Sequence, residues 1–290
     1  MKILLLGSNG MLGKTIYKKL TSLETEVSTV ARSNADYCFD LTDDARLESC
    51  IKEERPAVVI NAAAIVDIEF CEKNPGLAYQ INTRIPGVLA DICKRKNIYL
   101  VHISTDHYYC GDGSRKHKET DPVTLVNEYA RTKYLGEQLI LAHKDSLILR
   151  TNIIGFKGDK KKTFIEWAIT ELENKSKLNL FTDFHTSSIH TIDFADILVD
   201  LLKVHPAGVF NLASSDVKSK RDFIIGLSNL LFNREPIYTE TSVRNIDGTK
   251  RAESLGLDTS KIENLLGYKM PGFEETLESI KKVFLERKQN

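Results

Sequence analysis

The chain has no surplus of charge of either sign. Forty Lys and Arg face forty Asp and Glu, and the pI is near 7.0. A protein built mainly to grip nucleic acid needs a positive excess to neutralise phosphates, so the balance argues against that class and leaves room only for a local basic groove. Long apolar runs are missing too: none approaches the roughly 18 residues a membrane-spanning helix requires. The apolar opening, Met1 to Leu6, is broken at once by Gly7 and Gly10, which makes it too short for the apolar region of a secretory signal. Cysteine is sparse. Cys38, Cys50, Cys71, Cys93 and Cys110 are scattered, odd in number and nowhere spaced as CxxC. That set gives neither a disulfide framework nor a metal site, and it reads as free thiols in a reducing cytoplasm. Internal repeats, low-complexity segments and Pro/Gly/Ser-rich linkers are absent as well. What is present is 290 residues with 42% hydrophobic side chains, enough to bury a core in one large domain or two modest ones.

The first 150 residues alternate strand and helix patterns. Lys2 to Leu6, Ala57 to Ile60, Tyr99 to Ile103 and Ser146 to Arg150 are short apolar runs of the kind buried in parallel sheets, and Glu26 to Ala31 is a further strand. Lys14 to Leu23, Asp43 to Glu54, Pro75 to Lys96 and Asn127 to His143 carry helical patterns between them. Parallel neighbours need a crossover helix, so the pattern predicts an α/β fold with a Rossmann-type doubly wound parallel sheet. After residue 150 the rhythm changes. A basic loop, Phe156 to Lys162, precedes a helix with the only tryptophan, Trp167; Thr191 to Val204 and Gly208 to Leu212 read as a helix and strand that return to the sheet. The expected division is a Rossmann domain of 1–150 plus about 186–230, and a smaller interleaved α/β lobe of about 151–185 and 231–285. The basic run, Lys160 included, reads either as a solvated loop or as a cationic flap over a substrate diphosphate.

Ligands of such sheets sit outside the carboxyl ends of the strands. Three informative segments stand there: Gly7–Ser8–Asn9–Gly10–Met11–Leu12–Gly13, Asn61–Ala62–Ala63–Ala64 and Ser104–Thr105–Asp106. In the first, glycine allows a tight turn and a close approach of backbone to a diphosphate, and the following helix offers unpaired N–H groups. A buried strand before and a helix after are the context this motif requires, so it predicts a dinucleotide site. An acid at the end of the second strand would select NADH. Here that end is Val30–Ala31–Arg32–Ser33, and Arg32 with Ser33 suits a 2′-phosphate, favouring NADPH with NADH possible. The alternative reading of Arg32 is a solvated surface cation. Asp40 and Leu41 suit an adenine edge, and Asp40 suits an ordinary helix start.

Tyr129 and Lys133 form YxxxK within a helix, which puts both on one helical face. An ammonium near a phenol favours phenolate and lowers a pKa of about 10 in free tyrosine. That suits a general acid which protonates a carbonyl oxygen as hydride arrives at carbon. Thr105, just past a buried strand, offers a hydroxyl to the same oxygen.

Taken in order, the glycine turn, Asn61 to Ala64, Ser104 to Asp106 and YxxxK resemble the extended short-chain dehydrogenase/reductase superfamily, and within it the dTDP-4-dehydrorhamnose reductase family. The likeness runs the length of the chain. Asp40–Leu41–Thr42–Asp43, Gln80–Ile81–Asn82, His102 to Asp106, Leu149–Arg150–Thr151 and Arg251 to Leu255 each resemble a family segment. The resemblance implies Thr105, Tyr129 and Lys133 as the catalytic trio, with Tyr129 the acid. It implies that Asn61 to Ala64 and Asn82 border the cofactor, and that Asp106, Asn152 and Arg251 face a nucleotide sugar. It also implies reduction of a nucleotide-linked 4-keto-6-deoxysugar for surface polysaccharide or glycan, in the cytoplasm, by a possible homodimer.

Three departures lie toward the substrate. His107–Tyr108–Tyr109–Cys110 stands where the family has Tyr-Val-Phe-Asp, Asn152–Ile153–Ile154 where it often has a tryptophan, and Thr186–Ser187–Ser188 where it has Pro-Thr. His107 is compatible with a bond to sugar or diphosphate, and with a polar loop residue. Because His107 follows Thr105–Asp106, the second carboxylate of nucleotide-sugar dehydratases is missing. Two other readings stay open: an epimerase that retains NAD, and a cofactor-binding regulatory subunit without turnover.

Overall fold

The computed structural model describes residues 1–158 and 161–289; Asp159, Lys160 and Asn290 lie outside the described residues, and with Lys160 the centre of the basic run. The main sheet has seven strands: β1 (Lys2–Leu6), β2 (Glu26–Ala31), β3 (Tyr37–Cys38), β4 (Val58–Asn61), β5 (Tyr99–Ile103), β6 (Ser146–Arg150) and β7 (Gly208–Asn211). Their order is β3-β2-β1-β4-β5-β6-β7, and each pair from β3 to β6 is parallel. The order reverses between β1 and β4, the switch point at which doubly wound sheets bind ligands. This is the expected Rossmann-type fold.

The helices are α1 (Met11–Ser22), α2 (Asp44–Glu54), α3 (Ile68–Lys73), α4 (Pro75–Tyr79), α5 (Ile85–Lys96), α6 (Glu128–Ile140), α7 (Phe164–Glu173), α8 (Thr191–Val204), α9 (Lys220–Phe232), α10 (Ser260–Leu266) and α11 (Phe273–Gln289). Between α4 and α5 the backbone widens into a π-helical segment, Gln80–Arg84, where the hydrophobic spacing had suggested one uninterrupted helix. A reason is visible in the packing. α6 crosses here so closely that a Cβ on Gly136 would lie 2.3 Å from the Asn82 carbonyl oxygen.

The chain forms two compact units. Unit 1 is 1–105, 125–150 and 195–210; unit 2 is 106–124, 151–194 and 211–290. The core of unit 1 joins strand residues Leu4, Val30, Val59, Leu100 and Ile148 to Ile51 of α2 and Leu89 of α5. In unit 2, Ile165 and Leu172 of α7, Phe223 and Leu227 of α9, and Leu277 and Phe284 of α11 make a second core. The division differs from the boundaries read off the sequence. Segment 106–124 goes with unit 2 because Lys116–His117 pairs with Gly256–Leu257. Only 195–210 accompanies the main sheet; α9 belongs to unit 2.

Candidate active site

The glycine turn leaves β1 at Gly7, whose φ of +78° is the left-handed conformation that favours glycine. Its N–H bonds the Val30 carbonyl at 2.9 Å, and the Gly10 N–H returns to the Gly7 carbonyl at 3.0 Å. A Cβ on Gly13 would fall 2.2 Å from the Gly7 oxygen, and one on Gly7 would fall 2.7 Å from the Ala63 nitrogen. Backbone alone fits in this cradle. Gly10 is the N-cap of α1 and supplies no side-chain acceptor, and no acid stands in the first turn. The N–H groups at the start of α1 are thus left to an external anion. Ser8, which sequence reasoning did not single out, adds a buried hydroxyl without a partner among the described residues. These features fit a dinucleotide diphosphate. Asn9 closes the turn by donating through Nδ2 to the Ser33 carbonyl. Arg32 and Ser33 are exposed at the end of β2. Asp40 holds its own turn, accepting from the Thr42 N–H at 2.9 Å and the Thr42 hydroxyl at 2.7 Å. Those two bonds, the backbone one foremost, and Arg32 farther off hold its carboxyl below the usual carboxylate range.

After β4, Asn61 Oδ1 accepts from the Ala63 N–H at 3.1 Å and curls the Asn61 to Ala64 segment. Asn82 clamps the next residue, Ile65. Its side chain accepts from the Ile65 N–H and donates to the Ile65 carbonyl, both at 2.9 Å, and donates to the Thr132 hydroxyl at 3.3 Å. A residue expected to border the cofactor therefore also anchors the Asn61 loop to α6.

Thr105 lies just past β5, and Tyr129 and Lys133 stand one turn apart on α6; all three are buried. Asn127 starts that helix, its side chain accepting from the Ala130 N–H at 2.9 Å. Tyr129 packs with Cys71 and Ala78, and with Ile65 and Ile68. Lys133 is 1% exposed; its Nζ donates to the Ile103 carbonyl at 2.7 Å and lies 3.3 Å from His102 Nε2. Burial pulls its pKa down to about 8, against the pull of Glu137. Glu137 is wholly buried, paired with Arg150 at 2.8 Å, and accepts from the Ser104 hydroxyl at 2.5 Å.

The residues expected to face substrate gather in unit 2. Asn152 Nδ2 donates to Asp106 at 2.7 Å, and the Ser188 hydroxyl donates to Asn152 Oδ1 at 2.7 Å. Thus Ser188, in one of the departing segments, orients Asn152. His107 Nε2 is 3.9 Å from the other Asp106 oxygen. Burial, with Lys220 and Arg251 adding to it, pushes the His107 pKa down to about 4, so the ring is neutral at pH 7. Lys220 was missed by sequence reasoning, since a lysine in Lys218–Ser219–Lys220–Arg221 looks like surface charge. Its ammonium lies 4.3 Å from the Phe164 ring centroid and 5.7 Å from that of Phe184. Burial brings it to about 8, opposed by Asp106. Arg251 Nε is buried without a partner among the described residues. No group of His, Cys, Asp and Glu among the described residues is arranged to hold a metal ion.

Residues 1–285 match the family described as RmlD substrate binding domain. A probable low-salt glycan biosynthesis reductase of Haloferax volcanii is 28% identical over 289 residues, covering 96% of each chain. The structure of a dTDP-4-dehydrorhamnose reductase from Clostridium acetobutylicum superposes with a TM-score of 0.88 at 26% identity, over 98% of this chain and 100% of that one. That of a dTDP-4-dehydrorhamnose reductase from Bacillus anthracis, in complex with NADP, superposes with a TM-score of 0.87 at 23% identity, over 98% and 99% of the two chains.

Proposed function

The chain belongs to the RmlD substrate binding domain family, and from that premise we propose that it reduces the keto group of a nucleotide-linked 4-keto-6-deoxysugar with NADPH. It is an NAD(P)-dependent nucleotide-sugar reductase. The observation that carries the finer reading is the pairing of an uncapped glycine turn after β1 with a buried Tyr129–Lys133 pair on α6.

NADPH supplies hydride to the keto carbon when bound. Tyr129 delivers the matching proton to the keto oxygen, Thr105 holds that oxygen with its hydroxyl, and Lys133 sets the charge beside the phenol. The α1 N-terminus and Ser8 hold the cofactor diphosphate, and Arg32 with Ser33 the 2′-phosphate. Asp106, His107, Asn152 and Arg251 orient the sugar nucleotide. Lys220 and the Arg251 Nε add positive charge for its diphosphate. The NADP bound to the Bacillus anthracis relative supports the same preference. The free thiols at all five cysteines support a cytoplasmic setting in polysaccharide or glycan synthesis. Exposed Leu77, Tyr79, Leu135 and Leu139, on α4 and α6, support a homodimer.

The test offers a dTDP-linked 4-keto-6-deoxysugar, then its GDP, UDP and CDP counterparts, with NADPH or NADH. One NADPH should be consumed per keto group. Arg32→Ala should raise KM for NADPH about tenfold, roughly 1.4 kcal/mol, and leave KM for NADH unchanged. Turnover without net cofactor consumption would mean an epimerase; cofactor binding with no turnover on any sugar would mean a regulatory subunit.

A further inference from the structure

Four groups of unit 1 form a hydrogen-bonded chain that ends on Lys133. The Ala63 N–H donates to Asn61 Oδ1 at 3.1 Å; Asn61 Nδ2 lies 3.1 Å from His102 Nδ1; His102 Nε2 lies 3.3 Å from Lys133 Nζ. Asn61, His102 and Lys133 are each exposed by 1% or less. The direction of this chain is fixed at its start. A backbone N–H only donates, so the Asn61 atom facing Ala63 is the oxygen. The amide nitrogen therefore faces His102 and donates, and His102 Nδ1 accepts and carries no proton. A neutral imidazole has one N–H, which then sits on Nε2 and points at Lys133. An ammonium has only donors, so it would meet that N–H donor to donor. An uncharged amine has a lone pair to accept it.

We propose that His102 is a positioning residue for the reduction: locked by Asn61 in its Nε2–H form, it donates to Lys133, stabilises the uncharged amine, and makes the cation beside Tyr129 labile close to neutral pH. The role rests on reading Tyr129 and Lys133 as the proton-handling pair.

Burial acts in the same direction. It draws Lys133 down to about 8 and keeps His102 far below its ordinary value, neutral at pH 7. The groups around Lys133 are few. From β5 come His102 and the Ile103 carbonyl, which either form of the lysine can bond. From β4, Asn61 acts through His102. On α6 itself stand Tyr129, and Glu137, which favours the ammonium but is matched by Arg150 of β6. To take a proton from solvent, Lys133 must make the imidazole shift its own proton to Nδ1. Asn61 must then turn its oxygen away from Ala63. Protonation of the lysine is thus tied to a rearrangement of two buried side chains. The catalytic cation is present below the Lys133 pKa and is lost as pH rises through it.

The experiment uses the whole cofactor-free chain with ¹⁵N-histidine and ¹³C,¹⁵N-lysine, the Lys133 signal assigned by its loss in Lys133→Met. NMR above the Lys133 titration should show His102 protonated at Nε2 and bare at Nδ1, and Lys133 should titrate at about 8 or below. In Asn61→Asp the carboxylate can only accept, so His102 should switch to its Nδ1–H form, and Lys133 should titrate at least one unit higher, a tenfold shift. His102→Asn introduces no charge, and its shorter amide does not reach Lys133 from the Nε2 position, so there too Lys133 should titrate higher. An Nδ1–H imidazole in the wild type above the Lys133 titration would overturn the proposal, and so would a Lys133 titration that neither variant moves. These readouts do not depend on turnover. Failure to reduce any keto-sugar would sink the proposed function and leave the tautomer result standing; where turnover is found, the alkaline limb of kcat should move up with Lys133 in His102→Asn.

Discussion

The two units carry buried cations in opposite settings. In unit 1, Arg150 is paired with Glu137, and Lys133 sits between a carbonyl and an imidazole. In unit 2, Lys220 rests on the faces of two phenylalanines, and one Arg251 nitrogen has no partner among the described residues. A buried positive charge without an anion is costly. Unit 1 pairs its buried guanidinium with a carboxylate and holds Lys133 by neutral groups of fixed geometry. Unit 2 offsets Lys220 by Asp106 and leaves Arg251 Nε without a partner among the described residues, which suits a site whose further anion arrives with the substrate. If this contrast is right, substitutions in unit 1 should damage the chemical step or the fold, and substitutions in unit 2 should damage substrate affinity.

The largest effect is expected at Tyr129. Tyr129→Phe removes the acid and keeps the ring against Cys71 and Ala78. kcat should fall by about 10²–10⁴-fold, while the Kd for NADPH stays within twofold. Stopped-flow reduction and fluorescence titration read the two quantities. Near-normal turnover would remove Tyr129 from the chemistry and erase the contrast at its strongest point.

Next in size is the buried pair. Arg150 and Glu137 are 4% and 0% exposed, so Arg150→Met leaves an uncompensated carboxylate in the core of unit 1. The cost should be about 3–5 kcal/mol in urea unfolding. Unit 2 has a control of the same chemistry at its surface: Arg221 and Glu240, 2.7 Å apart and 32% and 57% exposed. Arg221→Ala should cost no more than about 1 kcal/mol, because solvent screens the pair. Equal losses would mean that the two settings do not differ as described.

The same contrast explains which features are legible in the sequence. Gly7 to Gly13 and Tyr129 with Lys133 are legible because their geometry is local: a tight turn needs glycine at set positions, and two residues four apart share a helical face. The parallel sheet follows from its apolar runs. Ser8, the Glu137–Arg150 pair and the His102–Lys133 contact are not legible, because each depends on strands or helices being brought together. Lys220 is the clearest case. Its neighbours Phe164, Phe184 and Asp106 come from three separate stretches of chain. No local pattern marks one lysine in a basic run as buried. The division into units fails to show in the sequence for the same reason, since Lys116–His117 finds its strand partner about 140 residues away.

The last effect is the most selective. Lys220→Met keeps an unbranched side chain over Phe164 and Phe184 and deletes the charge. If Lys220 serves the anionic part of the substrate, KM for the sugar nucleotide should rise about tenfold, roughly 1.4 kcal/mol, with kcat and the Kd for NADPH unchanged. Folding stability should hold or rise, because a desolvated cation has been replaced by an apolar group of similar shape. The pH dependence supplies an internal check. Burial draws Lys220 to about 8 against the pull of Asp106, so the wild-type ammonium is present below that pH and is lost as pH rises through it. Substrate KM should therefore climb above about pH 8 in the wild type and stay flat there in Lys220→Met. Lys133 titrates in the same region, but its loss acts on kcat, so the two lysines separate in the split between kcat and KM. A Lys220→Met variant with unchanged KM, or with lower stability and lower kcat together, would make Lys220 part of the packing of unit 2 and remove it from substrate binding.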